Sequence, residues 1–166
     1  MLNLYSRKNC SNEIKVYADA DFGGDDESLS TSGVTTFYAG NLIGWSSVKQ
    51  RLVALSTCEA EINAIVEGAT EAMYYRELLS ELLQQEPVQA TMIYNDNEPA
   101  LETITKGGKH YKRRIDYLKK LMKLGELDIS HVGTTEMPAD AFTKTLPESQ
   151  FLYLMSKCGL KFESEH

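Results

Sequence analysis

At 166 residues, 42% of them hydrophobic and 25% charged, the chain suffices for one globular domain with a sizeable core and needs no second one. Its 24 acidic and 17 basic residues give a net charge of -7. This excludes a protein that coats nucleic acid over its whole surface but leaves room for one basic face. Its apolar runs are far too short to cross a bilayer, and the first residues lack the charged, apolar and small-residue segments of a secretory signal, so a soluble protein without a membrane partner is expected.

Residues 1–13 mix Leu2 and Leu4 with polar side chains and read as an edge strand or as a connection from something upstream. Residues 14–22 alternate, with Val16, Ala18, Ala20 and Phe22 on one face and Tyr17, Asp19 and Asp21 on the other, the pattern of a half-buried strand. Gly23-Gly24-Asp25-Asp26 closes it as a turn. Two carboxylates at one strand end fit a hard divalent cation, or a polar strand end running into an acidic turn. Alternation alone does not separate Asp19 from Asp21.

A polar loop leads to strands at 32–38 and 41–46, joined at Ala39-Gly40-Asn41. With the first strand they make an antiparallel meander. A helix is expected from Leu55, because Ser56 and Glu59 stand at capping-box spacing and Ile62, Ile65, Ala69, Met73 and Leu83 follow a period near 3.6. It ends over 84–87. Glu59 serves the cap and Glu61 is left free in the second turn.

Residues 88–94 form the next strand, and Asp96 stands where strand passes into a helix over 97–106 that stops at Gly107-Gly108. Such junctions are where open α/β sheets place ligands. The helix expected over 111–124 turns Tyr111, Ile115, Leu118 and Met122 inward. Lys109, Lys112, Arg113, Arg114, Lys119, Lys120 and Lys123 make this region basic, with Asp116 as the one opposing charge; it reads as a phosphate-backbone surface or as a solvated helix face.

Residues 126–132 give the last strand. Pro138 suits a first helical turn that carries Asp140 near its N-terminus, and a closing helix over 148–158 ends at Gly159. A frayed tail is expected over 161–166. Cys10, Cys58 and Cys158 are odd in number, widely spaced and in no CxxC pair, which argues against a disulfide framework or a structural zinc site and suits a reducing compartment.

The order is three strands, helix, strand, two helices, strand, helix, with acids at two strand ends and in the first and last helical segments. It resembles the α/β ribonuclease H-like fold, a five-stranded mixed sheet (an antiparallel meander plus two parallel strands) flanked by helices. The blocks Tyr17-Ala18-Asp19-Ala20-Asp21-Phe22-Gly23-Gly24-Asp25, Ser30-Thr31-Ser32-Gly33, Ile43-Gly44-Trp45-Ser46-Ser47-Val48-Lys49-Gln50 and Ala54-Leu55-Ser56-Thr57-Cys58-Glu59-Ala60-Glu61 carry the likeness further. So do Tyr94-Asn95-Asp96-Asn97-Glu98, Arg113-Arg114-Ile115-Asp116, Ala139-Asp140-Ala141-Phe142-Thr143-Lys144 and Leu146-Pro147. Together, and in this order across 14–160, they resemble the ribonuclease H domain of copia-type (Pseudoviridae) LTR-retrotransposon Pol polyproteins.

The resemblance implies a ribonuclease H that hydrolyses the RNA strand of RNA/DNA hybrids during reverse transcription. It implies two Mg²⁺ ions, with Mn²⁺ able to substitute, held by Asp19, Glu61, Asp96 and Asp140. Asp19 would bridge the ions, Asp96 and Glu61 hold one, and Asp140 hold the other. Ser30, Ser32, Ser56, Thr57, Asn95 and Asn97 are the polar candidates for contacts to 2′-hydroxyls, and Lys112, Arg113 and Lys119 for phosphates.

The family context implies a reverse transcriptase domain in the same polyprotein as partner, in a cytoplasmic virus-like particle and then in the nucleus with the integration complex. The rival reading is a captured, catalytically silent binding module for nucleic acid or protein. Departures from the pattern are Arg114 where the family usually has His, Phe22 where Trp is common and Thr145 where Pro is common; the loop His that cellular ribonucleases H carry before the last Asp is absent here, as it is from the copia-type pattern. His131, at the strand end, reads as packed or structural.

Overall fold

The computed structural model describes residues 2–4, 12–23, 29–85 and 89–162, with 2–4 and 161–162 as backbone alone. Seven strands and four helices follow in the order β1 (Leu2–Leu4), β2 (Ile14–Asp21), β3 (Thr31–Tyr38), β4 (Asn41–Lys49), α1 (Thr57–Leu83), β5 (Thr91–Asn95), α2 (Glu98–Lys106), α3 (Lys112–Lys123), β6 (Leu127–His131), α4 (Glu148–Lys157) and β7 (Leu160–Phe162). Five of the strands form one sheet in the order β4-β3-β2-β5-β6. The β4-β3-β2 meander is antiparallel, and β5 and β6 add in parallel, so the expected mixed five-stranded sheet is present.

The meander hairpin turns at Ala39 and Gly40, with φ of 49° and 74°. Two positive φ values are those of a type I′ turn, whose twist matches the flanking strands. β4 runs three residues beyond the expected Ser46, because Ser47, Val48 and Lys49 continue the ladder opposite Gly33, Ser32 and Thr31.

Helix α1 covers one face of the sheet. Ser56 caps it by accepting the Glu59 N–H at 3.1 Å, and Glu59 Oε2 accepts the Leu55 N–H at 2.9 Å, which is the predicted capping box displaced by one residue. Among its buried residues are Ala60, Ala64, Gly68, Ala69 and Ala72. These small side chains let the helix lie close on β2: a Cβ at Gly68 would stand 3.2 Å from both Ala18 Cβ and Val16 Cγ1. Ile104 of α2 and Ile115, Leu118 and Leu121 of α3 complete the same core.

On the other face a smaller cluster of Phe37, Met155 and Cys158, with Tyr17, Phe142 and Phe151 against it, seats α4 and a 3-10 turn over Pro138–Phe142. The expected helical turn after Pro138 is thus a five-residue 3-10 turn, separate from α4. Phe22, expected on the inward face of the first strand, lies just past the end of β2 and is 43% exposed.

The tail expected to fray from Lys161 instead starts as β7. Its register pairs Leu4 with Leu160, Asn3 with Lys161 and Leu2 with Phe162. This also makes part of the expected N-terminal segment an edge strand of a two-stranded sheet. The turn at Gly24-Asp25-Asp26, the helix stop at Pro87, the start of a strand at Val88, Cys10 and residues 163–166 lie outside the described residues.

Candidate metal centre

The three carboxylates Asp19, Asp96 and Asp140 converge, each with an oxygen within 4.8 Å of the others. They arrive by three routes. Asp19 is the sixth residue of β2 and 1% exposed. Asp96 follows the last residue of β5, the strand beside β2. Asp140 lies in the 3-10 turn and is wholly buried.

That turn closes over Asp19 because β3 carries glycine opposite it. Gly33 pairs with Asp19, and a Cβ there would stand 2.6 Å from Thr143 Cγ2 and 2.8 Å from the Ala139 carbonyl oxygen. Residues 139–143 occupy the room that a side chain would take. The Thr143 hydroxyl then donates to Asp19 Oδ2.

Lys144 Nζ stands 2.9 Å from Asp140 Oδ1 and 3.5 Å from Asp19 Oδ2. Burial lowers its pKa, but the charges of Asp19 and Asp140 outweigh this and the net shift is upward. Apart from this ion pair, neither buried Asp140 oxygen has an aligned hydrogen-bond donor among the described residues. Burial, reinforced by the charge of Asp19 and opposed by Lys144, pushes the Asp140 carboxyl up to about 7. Asp96 Oδ2 accepts the Thr134 hydroxyl at 2.8 Å.

The fourth expected acid, Glu61, is buried beside this set and falls outside the converging three. Its Oε2 accepts Asn95 Nδ2 at 2.8 Å. Burial pushes its carboxyl up to about 8, with the charge of Asp19 adding to the rise and the Asn95 hydrogen bond opposing it. All four carboxylates therefore share one region.

The donor set is all oxygen, which suits a hard divalent ion. Buried carboxylates are costly unless cations offset them, and among the described residues the Lys144 ammonium alone is shared between the buried Asp19 and Asp140. The residues present fit a divalent metal.

The expected nucleic-acid contacts divide. Ser30, Ser32 and Asn95 are buried and are not presented to a ligand. Ser32 Oγ accepts Gln50 Nε2 at 2.9 Å inside the meander, and Asn95 spends its carboxamide on the protein. Ser56 and Asn97 are half-exposed caps of α1 and α2, while Thr57 is exposed. Lys112, Arg113 and Lys119 are exposed on α3. His131, read as packed or structural, is exposed and not packed, with its Nε2 3.3 Å from the Asp96 carbonyl oxygen.

Thr143, Lys144 and Thr134 were not singled out from the sequence. For Lys144 the signal was its place four residues after Asp140.

No family model matches the chain. It is 33% identical over 146 residues, 83% of its length, to the retrovirus-related Pol polyprotein from transposon TNT 1-94 of Nicotiana tabacum. Over 166 residues, 95% of its length, it is 32% identical to that from transposon RE1 of Arabidopsis thaliana. In both cases it spans 11% of the relative. Among solved structures it resembles LC11-RNase H1 in complex with an RNA/DNA hybrid, with a TM-score of 0.60 at 15% identity over 79% of this chain and 94% of that one. RNase H1 from the halophilic archaeon Halobacterium salinarum gives 0.59 at 14%, over 79% and 94%. At this identity the likeness is one of fold. Sequence kinship to one short stretch of these polyproteins and a ribonuclease H fold coincide over the same residues: the chain belongs to the ribonuclease H-fold segments of copia-type retrotransposon Pol polyproteins.

Proposed function

We propose that the chain is a metal-dependent endoribonuclease that hydrolyses the RNA strand of RNA/DNA hybrids. The convergence of the buried Asp19 and Asp140 with Asp96 within 4.8 Å is the observation that supports this best. Mg²⁺ is the proposed metal, as two ions, with Mn²⁺ as substitute. Asp19, Asp96 and Glu61 would hold one, and Asp19 and Asp140 the other. Bound there, such ions supply an activated water and stabilise the leaving oxygen of an in-line displacement.

The chain's own groups do the rest. Thr143 and Lys144 fix the orientation of Asp19, and Thr134 that of Asp96. Ser56, Thr57 and Asn97, at the N-termini of α1 and α2, are the proposed partners of 2′-hydroxyls, which distinguish RNA from DNA. The α3 cations hold phosphates and set register without reading sequence.

The relatives are Pol polyproteins, and this supports cleavage of template RNA during reverse transcription. The proposed partner is the reverse transcriptase domain of the same polyprotein, in a cytoplasmic particle and then with the integration complex in the nucleus. A labelled RNA/DNA hybrid incubated with the purified chain and Mg²⁺ or Mn²⁺ tests the reading. Cleavage abolished by Asp19→Asn is expected; hybrid binding without cleavage, indifferent to Asp19→Asn, would leave a silent binding module.

A further inference from the structure

Asn95, the last residue of β5, is fully buried. Its Nδ2 donates to the Ala18 carbonyl and to Glu61 Oε2, both at 2.8 Å, and its Oδ1 accepts the Asn97 N–H at 2.9 Å. Both amide donors are thereby used. Each partner is tied to an acid of the centre: Ala18 precedes Asp19, Asn97 follows Asp96, and Glu61 is itself one. Asp19, Asp96 and Asp140 take their side-chain contacts elsewhere, from Thr143, Thr134 and Lys144.

We propose that Asn95 is a positioning residue of the metal centre, holding Glu61 by one oxygen so that its other oxygen is the one left for an ion. This rests on the metal-dependent reading above. Glutamate has three rotatable side-chain bonds, and fixing one oxygen removes most of that freedom before an ion arrives. A carboxamide suits the position because two acceptors and one donor converge there. An aliphatic residue would leave the Ala18 carbonyl and the Glu61 carboxylate without their donor, and an aspartate would set like charge against Glu61. Partners behind a metal ligand govern affinity through the ligand's orientation.

A double-mutant cycle on metal affinity tests this, with Mn²⁺ titrated calorimetrically into the parent, Asn95→Ala, Glu61→Gln and the double variant. Asn95→Ala should weaken Mn²⁺ binding roughly 10- to 100-fold. In the Glu61→Gln background the same change should alter binding by no more than about twofold, because the group through which Asn95 acts is already lost. Unchanged affinity in Asn95→Ala, or losses that simply add, would overturn the proposal.

If Asn95→Ala does not fold, the parent still decides. The Asn95 side-chain amide resonances should shift as Mg²⁺ is added, and resonances that stay still while the metal binds would overturn it. A parent that binds no Mn²⁺ overturns both readings, whereas a parent that binds Mn²⁺ and cuts the hybrid, with Asn95→Ala binding equally well, overturns this one alone.

Discussion

Lys144 Nζ stands 2.9 Å from Asp140 Oδ1, one helical spacing along the chain, and reaches on to Asp19 Oδ2 at 3.5 Å. The ammonium thus offsets two buried carboxylates at once. Lys144→Met keeps the apolar stem and removes the charge. In EDTA this should cost about 1–3 kcal/mol, less than breaking a fully buried pair, because a third of the Lys144 side chain is open to water. Millimolar Mg²⁺ should recover most of the loss, since a divalent ion offsets the same carboxylates. Thermal unfolding with and without Mg²⁺ reads this out, and an equal loss in both would show that ammonium and metal do not serve the same charges.

Acidity gives a second prediction. Burial, then the charge of Asp19, raises Glu61 from 4.5 to about 8 and Asp140 from 3.8 to about 7. Between about pH 4 and 8 these two carboxyls therefore bind more protons in the metal-free folded chain than in the unfolded chain, so their contribution to stability falls as pH rises through that window. Below pH 4 both states are protonated and the penalty vanishes. Mg²⁺ favours the charged carboxylates, so the rise in Tm that it produces should grow from pH 5.5 to pH 8. A metal-induced rise independent of pH would show that these two groups do not titrate with the centre.

The sheet was legible in the sequence because its strands alternate and its turns carry Gly and Asn. Asp19, Glu61, Asp96 and Asp140 were legible through a resemblance spread over many short blocks. Alternation by itself left Asp19 and Asp21 equivalent; they differ because residues 139–143 close over Asp19, a contact between segments more than a hundred residues apart. For the same reason Ser30, Ser32 and Asn95 looked like surface polar groups. A polar residue in a strand declares its chemistry but not whether another segment will cover it, and each of the three is covered. The short pairing of β1 with β7 joins the two ends of the chain, and no local pattern announces that.

Gly33 supplies a third prediction. Gly33→Ala would place a Cβ 2.8 Å from the Ala139 carbonyl and 2.6 Å from Thr143 Cγ2. The carbonyl is backbone and cannot rotate away, so residues 139–143 must move as a unit. The expected cost is about 1–3 kcal/mol, with weaker Mn²⁺ binding because Asp140 and the Thr143 hydroxyl move together. Retained stability with unchanged Mn²⁺ affinity would show that the turn can shift without disturbing the carboxylates.

The basic helix gives the last prediction. On α3, Lys112 pairs with Asp116 and Lys119 donates to the Thr105 carbonyl at 2.9 Å, whereas Arg113 and Lys120 are exposed, seven residues apart and so on one face. A cation already engaged by the protein must give up that contact to meet a phosphate, and releases less counterion when it does. If α3 tracks the hybrid backbone, Arg113→Ala with Lys120→Ala should flatten the slope of log affinity against log salt by about 1.5–2, and Lys112→Ala with Lys119→Ala by less. Filter binding of an uncleavable hybrid by the Asp19→Asn chain, from low to moderate salt, measures both slopes without turnover. Slopes unchanged in both pairs would move the phosphate contacts off α3, and a larger change for Lys112 and Lys119 would mean that their internal contacts open on binding.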